Sequence, residues 1–220
     1  MDSASICGHQ MDTEFGFYLP EYDDASPEVQ SNFVEILGMS GSLDLSEQDG
    51  VVYFNDVEEE LVFEKVTSET TQADIKSTAR QLNNALLAEV GNVIFDDDPT
   101  FYRYGRVMST RVECVENGKL IATIGLRLKP YRYKVNMTTV TKSVSGSTTV
   151  VLSNLYMPVA PTVTTDSEMT LTYTIRGVQS TVTVNAGSHI IDTLILYEGN
   201  TTISVSGSGI ITFSYREGSK

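Results

Sequence analysis

The chain has 220 residues, with 29 Asp plus Glu against 15 Lys plus Arg, a formal net charge of −14, two Cys and no Trp. An apolar share of 40% with only 20% charged residues excludes a disordered chain despite the acidity. No uninterrupted apolar run exceeds four residues, which excludes a bilayer-spanning helix.

Residues 1–32 are polar and acidic, and Pro20 to Pro27 bounds a stretch that reads as an irregular surface loop. The first ten residues, MDSASICGHQ, offer neither a basic start nor an apolar stretch, so no signal peptide and no membrane contact are expected, and assembly in a cytosol is the default. From Phe33 the pattern becomes β-rich. Phe33-Val-Glu-Ile-Leu is a short strand, Leu43-Asp-Leu alternates, and Val51–Phe54 follows the turn signal Asp49-Gly50, which together predict a hairpin over Leu43–Phe54. A further strand is expected at Leu61–Val66.

One helix is predicted, over residues 74–90. Ile75, Ala79, Leu82, Leu86 and Val90 share a face, Thr71 with Asp74 forms a capping box, and Gly91 supplies the stop. Strands resume at Asn92–Phe95, Phe101–Tyr104 and Arg106–Glu113, and Lys119–Leu128 follows the turn Glu116-Asn117-Gly118. Pro130 is expected to close that run. Residues 134–220 show no helix, many Thr and Ser, and alternation such as Met169, Leu171, Tyr173 and Ile211, Phe213, Tyr215. Turns are expected at Ser145-Gly146, Arg176-Gly177, Ala186-Gly187, Glu198–Asn200 and Ser206–Gly209. The fold class is therefore mainly β: an N-terminal β-sandwich-like domain with one α-helix (residues 1–133), then a C-terminal antiparallel β-sandwich (134–220).

Charge divides along the chain. Residues 1–100 hold 22 acids and three bases, a balance of −19, while residues 101–220 hold seven acids and 12 bases, a balance of +5. Sequence-specific nucleic-acid binding is not expected from so acidic a protein. Cys7 and Cys114 are far apart without ligand spacing, and read as two small thiols in a reducing compartment. His9 and His189, the two imidazoles, adjoin no nucleophile motif. Asp96-Asp97-Asp98 and Glu58-Glu59-Glu60 read as solvated acidic runs. The Tyr–Arg alternation of Phe101–Tyr104 reads as one buried and one exposed strand face. No catalytic, cofactor or metal site is expected, and the chain is read as a non-enzyme.

In order, Phe33-Val-Glu-Ile-Leu-Gly-Met-Ser-Gly-Ser-Leu-Asp-Leu, Val52-Tyr-Phe-Asn, the helix, Phe95-Asp-Asp-Asp-Pro-Thr-Phe-Tyr-Arg-Tyr-Gly-Arg106 and Lys129-Pro-Tyr131 resemble the distal tail (Dit) proteins of long-tailed, non-contractile phages. Ile191-Asp-Thr-Leu and Tyr197-Glu-Gly-Asn-Thr-Thr-Ile-Ser-Val-Ser-Gly are similar to that family's galectin-like C-terminal sandwich. Asn55 stands where many relatives offer an Asn-Arg pair. The resemblance implies a virion tail-tip component forming a hexameric ring, single or as two stacked rings, that joins tail tube to baseplate around a channel for DNA. Its implied neighbours are the major tail protein, the tape-measure protein, the tail-associated tip protein and, in some members, a receptor-binding protein.

Ring closure of this kind is heterologous, one surface meeting a different surface of the next copy. Within the predicted hairpin, Leu43, Leu45, Val52 and Phe54 are the expected ring interface, and Glu47, Asp49, Asp56, Glu58 and Glu60 the expected channel-facing acids. The alternative reading is a galectin-like adsorption protein that binds host cell-wall saccharide through residues 134–220. The absence of Trp argues against it. A hydrolase finds no selected acidic pair.

Overall fold

The computed structural model describes residues 2–22, 25–48, 50–68, 70–116 and 118–220. They form two compact units, residues 1–132 and 133–220, each with its own apolar core.

The first unit begins with β1 (Ala4–Ile6), β2 (His9–Gln10) and the short α1 (Met11–Phe15). The sequence predicts no strand or helix within residues 1–32, and a surface loop over Pro20–Pro27. Instead Ala4, Ile6, Met11, Phe17 and Leu19 are buried in the core. These apolar residues follow neither a helical nor a strand period over any length, so only tertiary packing defines them. Next come β3 (Phe33–Glu35), β4 (Ser42–Asp44), β5 (Glu47–Gln48) and β6 (Val51–Val52). The predicted Leu43–Phe54 hairpin forms only in part. Leu43 pairs backwards with Val34, across a connection carrying Gly38 and Gly41 at positive φ, while Glu47 pairs with Val52 and Gln48 with Val51. The turn residue Asp49 lies outside the described residues, as does Asn117 of the second predicted turn.

β7 (Val57–Val66) alternates strictly, with Val57, Glu59, Leu61 and Phe63 inward. The helix α2 spans Gln72–Leu86, shorter than the predicted 74–90 at its end. Thr71 caps it as expected: its side chain accepts from the Asp74 N–H, and the Asp74 carboxylate accepts from the Thr71 N–H. That carboxyl is held below its ordinary range by hydrogen bonds from the Thr71 side chain and backbone. Thr71→Ala is expected to destabilise the helix start by about 1 kcal/mol, read from the urea midpoint of the full chain. The stop is not Gly91 but Leu87 and Ala88. Ala88 takes a positive φ of 69° and donates its N–H to Val107 O, which turns the chain into β8 (Val90–Phe95).

β9 (Phe101–Glu116) and β10 (Lys119–Lys134) are long strands in a sheet whose order is β10-β9-β8-β1-β2, with β7 also on β10. The two predicted strands on either side of Gly105 are thus one. A Cβ on Gly105 would lie 2.2 Å from Arg127 O, so only glycine lets β9 approach β10 this closely. Pro130 does not end β10. The ladder with β7 stops at Leu128–Val57, so the missing N–H of Pro130 lies beyond it. Leu120, Ala122, Ile124, Leu126 and Leu128 share one core with Leu61, Phe63, Leu82 and Leu86.

The second unit contains β11 (Thr138–Asn154), β12 (Thr162–Thr165), β13 (Met169–Ile175), β14 (Val178–Val184), β15 (Gly187–Ile190), β16 (Gly199–Tyr215) and β17 (Gly218–Ser219). The Arg176-Gly177 turn joins β13 to β14 with both residues at positive φ. Ser145-Gly146 and Ser206–Gly209, predicted as turns, are not turns. They are opposed points within one antiparallel pair that runs from Thr138–Tyr215 to Asn154–Gly199. On its other side β16 pairs first with β13 (Ile203–Gly207) and then with β12 (Ile211–Ser214), so the strand bends between them. Gly207 and Gly209 make the bend at φ of 146° and 140°, and a Cβ on Gly209 would lie 2.1 Å from Asp166 Oδ1. The bend folds the sheet onto a core of Leu152, Val163, Leu171, Tyr173, Val205, Ile211 and Phe213.

Candidate assembly surface

Residues 28–55 leave the first unit and return as an arm. Its root is closed by Asn55 N–H to Glu28 O at 2.9 Å, Gln30 N–H to Tyr53 O at 2.8 Å and a bridge between Val29 and Phe54. Further out, Leu45 N–H donates to Asn32 O, and Ser46 Oγ accepts from Asn32 N–H. The Asp44 carboxylate accepts from Ser46, which holds its pKa below the ordinary range. Beyond this root the arm has no core. Phe33 is 60% exposed and Leu37 wholly so, and Val34, Ile36, Met39, Leu43 and Leu45 are also exposed. Pairs of short strands do not hold themselves together in water, and an apolar patch of this density is of the kind found where surfaces bind partners or ligands.

The four expected interface residues are therefore split. Leu43 and Leu45 lie on the exposed arm, Val52 is half-buried in the β5–β6 pair, and Phe54 sits at the root with its ring edge-on to Tyr131 at 6.0 Å. The expected channel acids are dispersed too. Glu47 is exposed on the arm, Asp49 lies outside the described residues, and Glu58 and Glu60 project from the exposed face of β7. Asp56 is already ion-paired, to Arg127 Nε at 3.1 Å and Lys129 Nζ at 3.2 Å. Partial burial acts to raise its pKa, but the hydrogen bonds and charges of Lys129 and Arg127 together hold it below the ordinary range.

Of the two acidic runs read as solvated, Glu59 alone departs from that reading, while Asp96 and Asp97 are exposed and hydrogen-bonded. Glu59, between exposed Glu58 and Glu60, points into the core and meets Arg103 Nη1 at 3.4 Å, both side chains being almost fully buried. Arg103 Nη2 also donates to Ala25 O at 2.6 Å. In the Tyr–Arg alternation it is thus the arginine that goes inside and Tyr104 that is exposed. In the Asp96–Asp98 turn, Asp96 accepts from Gln10, Asp97 from the Tyr22 hydroxyl and Asp98 from Thr100, and Tyr22 stacks on Phe95 at 4.2 Å. His9 bonds Glu14, and His189 bonds the Asn185 carbonyl.

The sequence reading missed a groove of about 370 Å³ lined by Asp56, Val90, Tyr104, Gly105, Arg106, Met108, Arg127 and Lys129. Arg106 is fixed there by donating Nη1 to Ala88 O at 2.6 Å. The available signal is the concentration of bases after residue 100.

No family model and no curated protein matches the sequence. In fold, 98% of this chain matches 99% of the SPP1 Dit protein, described as a paradigm of the hub adsorption apparatus in Gram-positive infecting phages, with a TM-score of 0.71 and 16% identity. The likeness spans both units and shows a shared fold.

Proposed function

We propose that this protein is a structural hub of a long-tailed phage tail tip, whose first units close a ring through their arms and whose second units present galectin-like sandwiches to other virion proteins. The observation that carries the reading is the fold match over the whole chain to a phage hub protein. The exposed apolar arm supports it, because a surface of this kind needs a partner. A six-membered ring built head to tail, alone or as a stacked pair, satisfies the arm in every copy. In this reading Glu47, Glu58 and Glu60 belong to the channel-facing set, where negative charge keeps passing DNA from sticking. The ring joins tail tube to baseplate, with the major tail, tape-measure and tip proteins as neighbours, and assembles in the host cytoplasm.

The test is negative-stain imaging and light scattering of the purified chain at micromolar concentration. A six-fold ring with an open centre is expected. Phe33→Asp with Leu43→Asp is expected to give folded monomers, since both side chains are exposed within their own subunit. A wild-type chain that stays monomeric at every concentration and salt overturns the reading, as does an unchanged ring in the double variant.

A further inference from the structure

We propose that the groove between Val90, Tyr104, Met108, Arg106, Arg127 and Lys129 receives the acidic apolar arm of a second copy of this chain. The inference rests on the ring reading and supplies the surface the arm meets.

Charge is the first argument. The sequence contains no Lys or Arg before Lys65, so the arm, with Glu28, Glu35, Asp44, Glu47 and Asp49, is acidic throughout. The groove holds Arg106, Arg127 and Lys129 against one carboxylate, Asp56. In a half-chain at −19, such a site is where an acidic segment from another copy is drawn rather than repelled.

Shape and exposure are the second. Val90, Tyr104 and Met108 are 41%, 42% and 55% exposed, an apolar floor inside a basic rim. The arm offers the converse, Phe33, Ile36 and Leu37 among acids. None of these arm residues lines the groove of its own subunit. Third, the cations are already oriented. Asp56 holds Arg127 and Lys129 while their side chains stay 55% and 53% exposed, and the Ala88 carbonyl holds Arg106. Holding them in place lowers the ordering cost of binding.

The experiment uses full-length chains that form the ring. Arg106→Glu with Lys129→Glu is expected to weaken self-association by roughly tenfold or more, with circular dichroism and thermal unfolding reporting the fold. Adding Glu35→Lys and Asp44→Lys to the same chain is expected to restore the ring, because each reversed arm then meets a reversed groove. Met108→Asp, at an exposed position, gives the same loss without touching the ion pairs. A ring that survives both groove reversal and Met108→Asp overturns this inference and leaves the ring reading standing. Failure of the arm reversal to rescue a folded groove variant also overturns it. A wild-type chain that never assembles removes both.

Discussion

Arg103→Leu is expected to cost residues 1–132 about 3–5 kcal/mol of unfolding free energy. The reason is an asymmetry. A buried ion pair gains little over a well-packed apolar pair, but removing one partner strands the other charge in a medium that does not solvate it. Here the group that loses its arginine is Glu59, whose side chain is only 3% exposed. The same change releases the Ala25 carbonyl from Arg103 Nη2, loosening the connection between the arm root and β9. Urea unfolding followed by circular dichroism measures the loss. Glu59→Leu added to Arg103→Leu should recover much of it, because the charge that was left behind is gone. A shift below about 1 kcal/mol in the single variant means that water reaches Glu59.

Phe213→Ala is expected to cost a similar amount, about 3–5 kcal/mol, but in the second unit alone. Phe213 is fully buried and sits on β16 opposite both Val140 of β11 and Val163 of β12, so its ring fills space where three strands meet. The cavity left by truncation cannot close easily, since the strands on either side are fixed by their ladders. Hydrogen exchange read by mass spectrometry locates the effect. Protection should fall across β11–β16 and stay unchanged at β7 and β10, whose residues belong to a separate core. Equal loss in both units would show that they unfold as one.

The parts of this fold that could be read in advance are those where a local signal and the tertiary outcome agree. Thr71 and Asp74 cap a helix because their chemistry is complete within four residues. Met169, Leu171 and Tyr173 alternate because one face of β13 is buried. Where a residue's role depends on a distant segment, local reading failed. Gly207 and Gly209 carry turn chemistry, yet the chain there is a strand that bends because β12 and β13 need different halves of it. Glu59 looked like one of three solvated acids until the register of β7 placed it inward, opposite Arg103. Leu43 paired with Val34, while the later strand took Glu47 and Gln48 as partners across a two-residue turn. Leu43 and Leu45 of the arm could be singled out in advance from their apolar content, and both are exposed. The groove could not, because its lining comes from Asp56, β8, β9 and β10 and is assembled only by the sheet.

The long β11–β16 pair also dictates the order in which the second unit can be made. Thr138 at one end meets Tyr215 at the other, and every rung between them joins residues from opposite ends of the unit. A chain leaving the ribosome therefore carries β11 with no partner until β16 has followed it out. Contacts of such long sequence separation are slow to form, since the intervening loop must close before any of them is rewarded. The first unit has its β7, β8, β9 and β10 ladders available much earlier. Synthesis thus completes the β7–β10 strands of the first unit before β16 of the second has emerged.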